Sequence, residues 1–201
     1  MTAEAHTSLG RQRFLLISIS SAGAPASLRV AVWRKLRSLG AVYLQQSVCL
    51  LPARSEIERQ IRRLIARVHS DGGSGQTLTI DVPDPAECAA LVAQFNAARD
   101  GEYAEVVERT RAMLDEIATE TARGRATYAE VEESEADLER FRSWLRKIDD
   151  RDHFNAPGRA AAEAAVQRCA DALAAFESTA LNSEAGDPLP ALPNSQNPPE
   201  E

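Results

Sequence analysis

The sequence predicts an α+β protein: a ferredoxin-like βαββαβ domain followed by an all-α helical arm of three to four helices and a disordered tail. Three observations lead there. A helical apolar pattern ending at Gly40 feeds, with almost no spare residues, into two short apolar runs, 41–44 and 48–51, parted by Gln45-Gln46 and stopped by Pro52. After residue 82 the apolar spacing turns helical and stays so. The charge changes sign at the same place. Residues 1–82 carry 11 Lys+Arg against 5 Asp+Glu, residues 83–201 carry 12 against 25, and the whole chain of 201 residues has a net charge of −7. Such a split reads as a basic domain joined to an acidic one.

Residues 1–12 read as a flexible leader. The run 14–20 (FLLISIS) is short, apolar and partly β-branched, as suits a buried central strand. Residues 21–25 form a turn, and Ser27 is placed to cap the next helix. In that helix Leu28, Val32, Leu36 and Leu39 recur at three- and four-residue steps, which puts them on one face. Trp33 borders the face, while Arg29, Lys35 and Arg37 point away from it. Gly40 is a natural C-terminal stop. After the hairpin, Ser55 and Glu58 stand in capping-box order at the start of a second helix. Its apolar face is Ile57, Ile61, Leu64, Ile65 and Val68; its other face carries Arg59, Arg62, Arg63 and Arg67. Gly72 to Gly75 breaks it. From Gln76 to Val82, Leu78, Ile80 and Val82 alternate with Thr77, Thr79 and Asp81, the mark of a half-buried strand. Strand, helix, strand, strand, helix, strand is the split βαβ order. Residues 13–82 are assigned to it, as an antiparallel four-stranded sheet with both helices on one face.

Residues 83–185 make the arm. A helix runs from Asp84 to about Ala98 and is interrupted at Asp100-Gly101. Another runs to about Arg123 with Tyr103, Val106, Val107, Leu114 and Ile117 repeating. Gly124 breaks it, Thr127 to Ile148 is the next, and Pro157 opens a fourth, Pro being favoured in a first turn. Val166, Cys169, Leu173 and Phe176 line its face. None sustains several heptads, so an antiparallel bundle is expected rather than a long coiled coil. Residues 186–201 are proline-rich without periodicity and are expected to be disordered.

Several function classes are excluded. Cys49, Cys88 and Cys169 are odd in number and lack CxxC spacing, which excludes a disulfide framework or a zinc site. No run approaches 18 apolar residues and the N-terminus has no signal-peptide core, so a cytoplasmic protein with no membrane partner is expected. Aromatics at 5% argue against a stacking surface for bases. There is no G-x-S-x-G, no phosphate loop and no histidine set beside a nucleophile, so no enzyme is expected. Ser18, Ser20 and Ser21 end the first strand, where a metal-dependent phosphodiesterase of this fold needs a carboxylate. Among the acidic residues Glu130, Glu132, Glu133, Glu135, Asp137 and Glu139, the Glu132 and Glu135 pair has ligand spacing, but no histidine joins it. A solvated helix face with local arginine pairs is expected there, with no metal and no cofactor.

Two clusters remain. Arg29, Arg34, Lys35 and Arg37 on the first helix, with Arg59, Arg62, Arg63 and Arg67 on the second, are candidate nucleic-acid-binding residues able to neutralise phosphates. The alternatives are a solvated face or a docking surface for the acidic arm. No sequence-reading helix stands out. The second cluster is Arg151, Asp152, His153 and Phe154, just ahead of Pro157-Gly158. It reads as an anion or partner corner, or as a group that fixes a turn with Phe154 plugging the core.

The motifs Arg29, Val32-Trp33-Arg34, Leu36, Leu39-Gly40-Ala41, Val48 and Leu50-Leu51-Pro52 together resemble the N-terminal domain of ChrB-type chromate-resistance proteins. The likeness continues through Glu102-Tyr103, Glu116-Ile117, Glu130 to Glu133, Trp144 to Ile148 and Arg151 to Phe154, so it covers roughly residues 13 to 178. More distantly, residues 13–82 resemble the ferredoxin-like module of PaaX-type repressors and of small CRISPR-associated nucleases, without the latter's aspartate. The resemblance implies a role in chromate resistance, with some family members acting as chromate-responsive repressors. With the basic helices, DNA is the expected partner, and the arm is expected to mediate homodimerisation or to hold a partner protein. Full-length members carry a further C-terminal domain, where a disordered tail is expected here.

Overall fold

The computed structural model describes residues 12–124 and 127–185. The expected leader, 1–12, lies outside the described residues except for Gln12, and the expected proline-rich tail, 186–201, lies wholly outside them. In chain order the elements are β1 (Arg13–Ser20), α1 (Ala26–Ser38), β2 (Val42–Gln45), β3 (Val48–Pro52), α2 (Ser55–Ser70), β4 (Ser74–Asp81), α3 (Pro85–Ala122), α4 (Tyr128–Asp149) and α5 (Arg159–Ala185). The protein is α+β and mostly helical. Its four strands form one antiparallel sheet in the order β2-β3-β1-β4.

β1 is central, and both its faces are covered. Leu15 and Ile17 join Cys49 and Leu51 of β3 under Leu28, Val32 and Leu36 of α1 and Ile57, Ile61, Leu64 and Val68 of α2. Full burial of each such side chain contributes about 1.5–3 kcal/mol, which sets α1 and α2 side by side on this face. Phe14 and Leu50 point the other way, beneath Cys88 and Phe95 from the start of α3. The rest of α3 leaves the sheet and builds a second core with α4 and α5 around Tyr103, Val106, Met113, Val131, Leu138, Ile148, Cys169 and Phe176. One helix thus serves both cores.

That continuity corrects the expected interruption at Asp100-Gly101. A mid-helix glycine costs about 1 kcal/mol against alanine, and burial of Phe95 before it and Tyr103 after it outweighs this. Asp100 does not compete for its own backbone; its Oδ1 accepts the Gly158 N–H at 2.7 Å. The caps differ as well. Ser27 lies inside α1, whose N-cap is Pro25, and Ser55 is the first residue of α2, with Arg54 at the N-cap and no side-chain cap. Leu78 is 55% exposed rather than half-buried. It sits on the edge strand opposite Leu16, where α3 covers the sheet only in part.

Candidate nucleic-acid interface

The burial of one edge of α1 and α2 leaves their cations outside. Arg29, Arg34, Arg37, Arg59, Arg62, Arg63 and Arg67 are exposed and Lys35 is half-buried. Lys35 Nζ donates to Gln60 Oε1 at 2.5 Å, a direct tie between the two helices. Arg59 pairs with Glu56, and Arg67 Nε lies 3.5 Å from Asp71. The Arg37 guanidinium stands 5.2 Å from the centre of the Trp33 ring. Arg34, Arg62 and Arg63 have no ion-pair partner among the described residues. The two helices hold eight Lys and Arg residues against two carboxylates, Glu56 and Glu58.

Beside this face a cavity of about 640 Å³ opens between α1, the end of β1 and the β2–β3 hairpin. Arg29 stands at its rim, its Nε donating to Ser21 Oγ at 3.3 Å. Cys49 lies in its wall, and burial pushes that thiol up to about 12. A thiol so high stays protonated at neutral pH and is a poor nucleophile.

The second predicted cluster lies where sheet and bundle meet, and the structure turns all four residues inward. Arg151 Nε and Nη2 donate to Glu102 Oε2 at 3.0 and 2.5 Å, and its Nη1 donates to the Lys147 carbonyl at 2.5 Å. Arg99 Nη2 reaches the other Glu102 oxygen at 2.9 Å. Tyr103 is fully buried, and its hydroxyl donates to Asp149 at 2.7 Å and to Asp152 at 3.2 Å. Burial first, then those carboxylates, raise the Tyr103 hydroxyl far above its usual range. Asp152 also accepts the Ala156 N–H at 3.0 Å, across a turn in which Asn155 takes φ 57°. Asparagine tolerates that left-handed conformation better than most residues.

His153 and Phe154 bind the corner to the sheet domain. His153 Nε2 lies 2.8 Å from the Leu39 carbonyl oxygen, and Arg54 Nη2 donates to the His153 carbonyl at 2.6 Å. Burial pulls the His153 imidazole below its ordinary value, against the Leu39 contact, which pushes it up. Phe154 packs 5.2 Å from Phe95 and 6.2 Å from Phe14, centre to centre. Aromatic pairs of this kind add about 0.5–1.5 kcal/mol each beyond area burial.

Sequence reasoning missed Arg99 and Glu102 as members of this corner, whereas Asp149, which accepts from Tyr103, stands in the run 149–154 that it singled out. A signal was available. Cys88, Phe95, Arg99, Tyr103 and Val106 share one buried stripe of α3, so an arginine falls where an apolar residue is due. A buried charge needs a partner, and Glu102 is one turn along. Gly40 is the helix stop its sequence position predicts, with φ 78°; its contact with Arg151 is not legible in the sequence.

Among the described residues no group of His, Cys, Asp or Glu is arranged to hold a metal ion, and no helix is long and apolar enough to cross a membrane. No curated protein and no solved structure matches the chain. The family model described as "Protein ChrB, N-terminal" matches residues 29–185. That span runs from the first turn of α1 to the end of α5 and takes in both basic helices, the corner and the bundle. The chain belongs to the ChrB N-terminal family.

Proposed function

We propose that this protein is a non-enzymatic, cytoplasmic regulator in chromate resistance that binds DNA through the outer face of α1 and α2. The observation that carries the reading is the charge on that face: eight cations on two adjacent helices, with Arg34, Arg62 and Arg63 unpaired among the described residues. Lys and Arg side chains there neutralise phosphates and release counterions, so binding falls steeply with salt. Such contacts set register on the duplex and do not by themselves read sequence.

The scaffold reading goes with it. Residues 13–82 are taken as ferredoxin-like: counted from the other edge, the strands run β4-β1-β3-β2, all antiparallel, with α1 and α2 packed on one face. The arm then serves homodimerisation or a partner protein. A second reading, an interaction module without nucleic acid, draws on the exposed carboxylates Glu132, Glu133, Glu135 and Glu139 of α4.

The test is a gel-shift titration against the promoter adjacent to the protein's gene, at low salt. The proposal expects a shift that weakens with salt and is lost when Arg62 and Arg63 are changed to Glu. No shift at low salt, or one indifferent to those changes, rejects it. A stable protein partner with no DNA retention supports the second reading.

A further inference from the structure

We infer that the cavity beside α1 is a binding site for a small aromatic organic anion, a flat apolar body carrying a carboxylate or sulfonate. The site does not depend on the DNA reading; it stands on its shape, its lining and its single charge.

The volume comes first. About 640 Å³ lies within the range of roughly 300–1,000 Å³ typical of small-molecule pockets. The inner wall is aliphatic, made by Ile17, Ile19, Val32 and Leu36. At the mouth stand two aromatic side chains, Trp33 and Tyr43, 47% and 40% exposed. Leaving two large rings in water forgoes burial that a flat ligand packed against them would supply. Trp33 is also held by Arg37 over its ring, which favours a fixed indole as one wall.

The charge comes second. Arg29 is the only charged residue lining the cavity, and no carboxylate among the described residues competes for it there. Its Nε is committed to Ser21 Oγ at 3.3 Å, which orients the guanidinium plane. Its two terminal nitrogens have no protein partner among the described residues. A planar guanidinium with a free pair of terminal N–H groups is the fork that takes a carboxylate or sulfonate end-on. An inorganic oxyanion alone would satisfy Arg29 and leave the aliphatic wall wet, so the ligand needs an organic body.

Two fluorescent dyes test this on the full chain. Anilinonaphthalene sulfonate carries the anion; N-phenylnaphthylamine is its uncharged analogue. Trp144→Phe leaves Trp33 as the only indole. The expected result is one saturable site for the sulfonate dye, with Trp33 emission quenched as it fills. Arg29→Met should weaken the sulfonate dye roughly tenfold or more, the usual value of a charge-assisted contact, and leave the uncharged dye within about twofold. Arg34→Met, on the same helix but outside the cavity, should change neither. The inference is overturned by the absence of saturable binding, by binding that leaves Trp33 unquenched, by Arg29→Met leaving the sulfonate dye unaffected, or by equal losses in the two arginine variants. DNA enters none of these readouts, so failure of the DNA reading leaves the result standing.

Discussion

A Cβ on Gly40 would stand 2.8 Å from the Arg151 carbonyl oxygen, so the end of α1 and the end of α4 meet with no room for a side chain. Gly40 also has φ 78°, a conformation that costs an L-residue about 1–2 kcal/mol. Gly40→Ala is therefore expected to destabilise by at least ~2 kcal/mol, since the Arg151 backbone must move as well. Gly101→Ala is the opposite case. Its added methyl meets nothing within 4 Å, and the helix interior gains about 0.5–1 kcal/mol. Urea denaturation of both variants measures the difference, and a neutral Gly40→Ala would show the corner to be loose.

Glu102 sits between two guanidiniums, with Arg99 at 2.9 Å and Arg151 at 2.5 Å. The side chains of the three are 8%, 18% and 16% exposed in the order Arg99, Glu102, Arg151. Removing one partner from a buried pair leaves uncompensated charge and costs about 3–5 kcal/mol. Glu102→Gln should fall near the lower end of that range. Glu139→Gln removes the partner of Arg146, where both side chains are exposed and screened by water, and should cost far less. Equal losses in the two variants would remove any special role for the corner.

His153 makes the corner sensitive to acid. Its folded value lies below the ordinary 6.5 because burial disfavours the charged ring. Protonation therefore favours the unfolded chain. The contribution is fully present above the unfolded value and is lost as pH falls toward the folded one. Melting temperature should drop between about pH 7 and pH 5, and His153→Gln should flatten that part of the curve. An unchanged pH profile in His153→Gln would assign the acid sensitivity to the carboxylates instead.

The thiols should be silent. Cys49, Cys88 and Cys169 are all buried, and Cys49 is held at about 12. A thiol reagent such as dithionitrobenzoate should label none of them quickly in the native protein and all three after denaturation. Rapid native labelling of one would show that thiol to be open to reagents and the packing around it to be loose.

Local pattern carried much of the fold. The three- and four-residue spacing of Leu28, Val32 and Leu36, and of Ile57, Ile61, Leu64 and Val68, marks faces that the structure buries together. Alternation worked less well in β4, because Leu78 lies on an edge that no helix covers fully. The long α3 was hidden by a local rule. Asp100-Gly101 is a good turn signal, and only burial on both sides of it carries the helix through. The covered second face of the sheet was half legible: Phe14 and Leu16 make β1 apolar on both sides. The corner was legible as a cluster, but its chemistry depends on Leu39, Gly40, Arg99 and Glu102, brought in from distant positions by the fold.

Arg62 and Arg63 are the residues on which the DNA reading can be tested without harming the fold. Both are exposed, and neither has an ion-pair partner among the described residues. Surface changes of this kind usually stay within about 0.5 kcal/mol, so Arg62→Ala and Arg63→Ala should leave the melting temperature nearly unchanged. If each holds a phosphate, the slope of log affinity against log salt should shrink by roughly one for each arginine removed. Arg59→Ala should have a smaller effect, because that guanidinium is shared with Glu56. Glu132→Gln with Glu133→Gln on α4 should leave the slope alone. A slope that responds to the α4 changes and not to Arg62 and Arg63 would place the nucleic acid elsewhere on the molecule.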